Sequence, residues 1–151
     1  MGTRRKAREV ALQVLFQIDV SRVEAHEAIE LFWDNFDAPE NVRDFSTELI
    51  TGTQSQRDDI DNLIKSCSEN WSLERMSKVD RNILRLAVYE LVYCNDIPPK
   101  VTINEAIDLG KEFGSENSGS FINGILDALY TKLRRENGDI HIIGTSGVPE
   151  A

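Results

Sequence analysis

The chain is short of the residues that build metal centres and disulfide frameworks, with 2 cysteines and 2 histidines among 151 residues. Cys67 and Cys94 fit no zinc spacing and make no disulfide scaffold. They read as small core hydrophobes in a protein of the reducing cytoplasm. His26 and His141 stand far apart, without a cysteine or acid at ligand spacing, so no metal is expected. No apolar run approaches the ~18 residues that cross a bilayer. The basic N-terminus lacks the apolar stretch that follows in a secretory signal. Glycine-rich phosphate loops of the Walker and dinucleotide types are missing, as is the nucleophile elbow of hydrolases. Acid pairs such as Asp58-Asp59, or Glu30 with Asp34, read as a solvated face. Neither catalysis nor a cofactor is expected. Period-two alternation is absent over any useful length, which argues against a sheet-based fold.

Basic charge is scarce too, and it gathers at one end. The 17 Lys and Arg face 26 Asp and Glu, a net charge of −9 at pH 7. Residues 1–8 hold Arg4, Arg5, Lys6 and Arg8 and no acid, leaving 13 basic against 26 acidic groups elsewhere. The body therefore repels phosphate while the N-terminal turn attracts it. The length fits one domain, and an apolar content of 40% suffices for a single core.

What is present is helical periodicity. Over residues 4–20, Ala7, Val10, Ala11, Val14, Leu15 and Ile18 recur at spacings of three and four. Ser21-Arg22-Val23-Glu24 has the form of a capping box. It opens a second helix with Ala25, Ala28, Ile29, Phe32, Trp33 and Phe36, which stops at Asp37-Ala38-Pro39. Asn41 is placed to cap a third, longer helix through Cys67, with a bend or break expected between Gly52 and Gln56. Ser72 starts a short turn. Ser77-Lys78-Val79-Asp80 caps a helix whose wide apolar stripe makes it the most buried, and Asp96-Ile97-Pro98-Pro99 ends it. Thr102-Ile103-Asn104-Glu105 reads as a further capping box, for a helix closed by a left-handed Gly114. Asn117 or Ser118 caps a last helix carrying Ile122, Ile125, Leu126, Leu129 and Leu133. The expectation is all-α, about seven helices with short connections that favour antiparallel neighbours. From Gly138 onward the composition predicts a disordered tail.

Four cations on the first turns of a helix oppose the positive end of its dipole, so stability alone would not place them there. Two readings fit. One is a solubilising, frayed terminus. The other is an arginine-rich surface that orders on RNA, whose phosphates and guanine edges suit the guanidinium fork. The segment from Phe113 to Phe121 adds to the second reading. Its small polar residues lead into a helix whose free N–H groups suit a phosphate. Phe121, in that helix's first turn, is either a base-stacking ring or a core residue. The polar, glycine-containing cap beside it favours stacking.

Four blocks together resemble the NusB family of bacterial transcription antitermination factors. The first is Arg4-Arg5-Lys6-Ala7-Arg8-Glu9 with Ala11-Leu12-Gln13, and the second Val79-Asp80-Arg81-Asn82-Ile83-Leu84-Arg85 with Tyr89-Glu90-Leu91. The third is Ile97-Pro98 with Ile103-Asn104-Glu105-Ala106, and the fourth Phe113-Gly114 with Phe121-Ile122-Asn123-Gly124-Ile125-Leu126-Asp127. Any one block is weak, whereas their order and spacing over residues 4–135 are specific. The resemblance implies two small helical bundles in one compact domain over residues 1–137, with the tail 138–151 outside it. It implies binding to the boxA element of ribosomal RNA transcripts together with the ribosomal protein NusE, in a complex with other Nus factors on RNA polymerase. By motif, Arg4, Arg5, Lys6 and Arg8 form the RNA arm, extended by Lys111, Asn117, Ser118 and Phe121. Glu74 and Asp80 fall at the NusE face. Asn117 stands where some members carry aspartate, and the lost charge eases phosphate approach. The acidic body then steers a basic ribosomal protein while the arm recruits RNA.

The family includes monomers and homodimers, and no heptad seam decides between them. Two other functions compete. A NusB-like module also begins some RNA cytosine methyltransferases, but no glycine-rich strand–loop–helix follows it here. A helical interaction adaptor without RNA would lack the steep salt dependence of a cationic RNA binder.

Overall fold

The computed structural model describes residues 2–68 and 71–137. Among them seven α-helices run in the order α1 (Gly2–Ser21), α2 (Ala25–Asn35), α3 (Glu40–Ser55), α4 (Arg57–Cys67), α5 (Lys78–Tyr93), α6 (Pro99–Phe113) and α7 (Ser118–Asn137). A short 3-10 turn, Leu73–Arg75, stands between α4 and α5, where Ser72 was expected to start one. No helix among these residues is long and apolar enough to cross a membrane. The tail at 138–151, whose composition predicts disorder, lies outside the described residues.

α5 is the axis of the molecule. It packs on α1, α3, α4, α6 and α7, and Ile83, Leu84, Leu86, Val88 and Leu91 are all fully enclosed. A helix covered on nearly every side needs apolar residues around most of its circumference, and the width of its stripe anticipates this. α1, α2 and α3 close over one side of α5, and α4, α6 and α7 over the other. Its start is set locally: the Ser77 hydroxyl accepts the Asp80 N–H at 3.0 Å, satisfying one orphan donor of the first turn.

Other helix ends differ from the sequence expectation. Ser21 caps nothing, because α1 runs through it and its hydroxyl accepts from the Gln17 amide at 2.6 Å. The stop is Arg22, left-handed at φ 61, whose N–H bonds the Ile18 carbonyl at 2.7 Å. α2 begins behind Glu24, which makes no side-chain cap. α3 begins behind Pro39, with Asn41 inside the helix, and the expected break falls at Gln56. α5 already stops at Tyr93, ahead of the Asp96-Ile97-Pro98-Pro99 expected to end it, and α6 starts three residues before Thr102, because Pro98 and Pro99 preorganise its first turn. Finally, Gly114 is extended, at φ −99 and ψ −159, and not left-handed. Glycine is required there by space: a Cβ would collide with the Ser118 hydroxyl and come within 2.9 Å of the Gly110 carbonyl oxygen.

Candidate nucleic-acid interface

The N-terminal part of α1 is held from inside by Arg8. Ala7, Val10, Ala11, Val14, Leu15 and Ile18 form the buried stripe of α1, and Arg8 continues its edge through Leu12. The guanidinium meets Glu90 of α5 as a fork, Nε to Oε2 at 2.8 Å and Nη2 to Oε1 at 2.9 Å. Side-chain exposure is 4% for Arg8 and 1% for Glu90. Thr102 of α6 donates its hydroxyl to Glu90 at 3.1 Å, and Glu105 lies 3.8 Å from Arg8. Burial works against the charged guanidinium, yet the hydrogen bonds and charge of Glu90 outweigh it and raise its pKa. Arg8 therefore leaves the RNA arm. Its donors are committed to a buried carboxylate that ties α1 to α5 and, through Thr102, to α6.

The other three cations are exposed. Arg4 reaches Asp96 at 3.1 Å and lies over the Phe45 ring, 4.8 Å from its centroid. Arg5 donates to Glu105 at 2.8 Å and to Asp108 at 2.9 Å, both on α6. Lys6 stands 4.0 Å from Glu9 on its own helix. Each cation at the unfavourable dipole end thus has an acid beside it.

The loop between α6 and α7 sorts its residues differently from expectation. Ser118 is enclosed, and its hydroxyl accepts the Ser115 N–H at 2.9 Å. It builds the loop and is withdrawn from any ligand. Asn117 is exposed, and its carbonyl accepts the Phe121 N–H at 3.1 Å as α7 begins. Exposed Lys111 lies across Gly119, where a Cβ would approach its Cγ to 3.1 Å. Phe121 is half-buried against the core and meets Trp71 edge-on, with centroids 6.2 Å apart. More exposed rings lie elsewhere: Phe36 at 55%, Trp71 at 47%, Phe113 at 45% and Phe16 at 37%. Trp71 was missed; a tryptophan beside a polar turn, outside every helical stripe, was its signal. Phe113 lines an apolar groove of about 720 Å³ with Phe16, Trp33 and Phe36, and Lys6 stands at its edge.

Glu74 and Asp80 differ in exposure, and of the two Glu74 alone lines the neighbouring cleft. Glu74 is exposed on the 3-10 turn and lines a polar cleft of about 900 Å³ between the end of α1, α3, α4 and the start of α5. Asp80 is half-buried, with an enclosed Oδ1 that takes no hydrogen bond. The floor of the cleft is a charge network absent from the sequence reading. Asp19 accepts from Arg81 twice at 2.8 Å and from Asn82 at 2.9 Å, while Arg85 forks onto Asp61 at 2.8 and 3.1 Å. Burial opposes the Asp19 charge, but the bonds from Arg81 and Asn82 outweigh it and hold the carboxyl at about 2. Arg81 and Arg85 stand one turn apart on α5, and that spacing was the available signal. Cys94 is buried, its thiol pushed up to about 12, which leaves it protonated and unreactive.

Comparison with known proteins places this arrangement. The sequence profile of the NusB family matches residues 5–131. A transcription antitermination protein NusB from Syntrophus aciditrophicus (strain SB) is 62% identical over 142 residues, covering 94% of this chain and 88% of the relative. The T. maritima NusB structure superposes with a TM-score of 0.79 at 40% identity, covering 85% of this chain and 91% of that one. A crystal structure of antitermination factors NusB and NusE in complex with dsRNA gives 0.78 at 28% identity, covering 87% of this chain and 98% of that one. A match over most of the length in both sequence and fold settles the assignment: the chain belongs to the NusB family.

Proposed function

We propose that this protein is a cytoplasmic transcription antitermination factor, a binding protein and not an enzyme. It takes up boxA RNA of ribosomal transcripts through Arg4, Arg5 and Lys6, with Lys111, Asn117 and the Phe121–Trp71 pair extending the surface. A NusE-type ribosomal protein docks through Glu74 at the cleft edge and Asp80 on the first turn of α5, and the assembly joins other Nus factors on RNA polymerase. The observation that carries this reading is the exposed turn Arg4-Arg5-Lys6 on an otherwise acidic chain of net charge −9. It is supported by a relative solved as a complex with NusE and dsRNA. Opposite charges then serve opposite partners, the turn attracting phosphate and the acidic body a basic protein.

The test is a titration of fluorescent boxA RNA with and without NusE. NusE is expected to tighten RNA binding, and charge reversal at Glu74 and Asp80 to remove that gain while sparing RNA binding by the free protein. RNA affinity indifferent to NusE, or NusE affinity indifferent to the two reversals, would remove the partner face.

A further inference from the structure

Arg5 is the most heavily engaged cation of the exposed turn. A single nitrogen, Nη2, donates to carboxylates of both Glu105 and Asp108, three residues apart on α6. Glu9 and Glu112 line the same small recess as Arg5 and its two carboxylate partners. The pair is not a buried necessity like Arg8 and Glu90, since the Arg5 and Asp108 side chains are 46% and 49% exposed. Exposed pairs of this kind contribute little to stability. They nevertheless occupy Nη2, one of the guanidinium nitrogens a phosphate would use, and they set negative charge within a few ångströms of where it must arrive.

We propose that Asp108, with Glu105 behind it, is an intramolecular competitor that weakens the hold of Arg5 on RNA phosphate, so that α6 sets the affinity and salt response of the RNA arm. This inference rests on the RNA-binding reading above. A phosphate approaching Arg5 shares the guanidinium with two carboxylates and meets their charge, so it gains less than at a free arginine. The turn therefore holds RNA weakly by itself and depends on contacts made elsewhere. Removing the competing charge frees the guanidinium without adding any new group.

The test uses Asp108→Asn in the full chain, because Glu105 also lies 3.8 Å from Arg8 and its replacement would disturb the anchor. Single-stranded boxA RNA is titrated at a series of salt concentrations. Asp108→Asn is expected to bind about three- to tenfold tighter at low salt, with a steeper salt slope. Asp58→Asn on α4, an exposed acid making the same change in net charge, is expected to gain less than about twofold. In an Arg5→Ala background the gain from Asp108→Asn disappears. Unchanged affinity in Asp108→Asn, or an equal gain in Asp58→Asn, overturns the competitor. If Arg5→Ala weakens RNA binding while Asp108→Asn does not strengthen it, only the competitor falls. If neither Arg5→Ala nor Asp108→Asn has any effect, Arg5 leaves the RNA arm and the competitor falls with it, whereas Arg4 and Lys6 are tested by their own replacement.

Discussion

Arg5 and Arg8 sit three residues apart in one basic cluster and do unrelated work. Arg8 compensates a carboxylate sealed in the core, so Arg8→Met leaves Glu90 charged, buried and unpaired, and should cost about 3–5 kcal/mol of stability. Adding Glu90→Leu should recover much of that loss, and urea melts of the single and double variants check both statements. Arg5→Ala should leave the melt unchanged. This division was available in the sequence, although charge counting hid it. Arg8, Leu12 and Leu15 fall at i, i+4 and i+7, the edge of the buried stripe, and Glu90 interrupts an apolar run on α5. One base and one acid inside two apolar stripes call for each other. Phe121 was harder to place, because its surroundings are made by Trp71, distant in sequence. Half-buried against the core, it should cost about 2 kcal/mol as Phe121→Ala, while exposed Phe113→Ala should cost little. Denaturant unfolding separates the two.

At the scale of elements, the helices followed from periodicity and most misplacements lay at their ends. Ser77 was correctly read because its cap is local, a hydroxyl and an N–H three residues on. Thr102 has the same local pattern, but two prolines begin the helix earlier and Glu90 offers its hydroxyl a buried acceptor. Gly114 was assigned to a left-handed stop, whereas the close approach of Ser118 decides that position. The left-handed stop lies instead at Arg22, where a Cβ is unfavourable. Arg22→Gly should therefore stabilise the protein by about 1 kcal/mol, read from the shift in the urea midpoint. A loss of stability would show that the Arg22 side chain contributes more than its backbone strain removes.

For the whole molecule, the distribution of charge matters more than its total. The Asp19 carboxyl is held at about 2 against an ordinary 3.8, so its stabilisation is complete above about pH 5. It is lost as the pH falls through 3.8 toward 2, amounting to about 2 kcal/mol across that window. Asp19→Asn should flatten the acid limb of the stability curve, measured by urea melts between neutral and acid pH. This network escaped the sequence reading because Asp19, Asp61 and Arg85 converge from three helices, whereas the basic turn was visible as contiguous residues. That turn carries the central claim, and the most direct measurement is the salt dependence of boxA RNA binding by the native protein and its Arg4→Ala/Arg5→Ala/Lys6→Ala variant. At about 0.7 in logarithmic slope per phosphate neutralised on a single strand, and with Arg5 partly held by α6, the variant should lose about 1.4–2 in slope, with its helicity and melting temperature intact. An unchanged slope, at equal helicity, would contradict the assignment of α1 as the RNA arm.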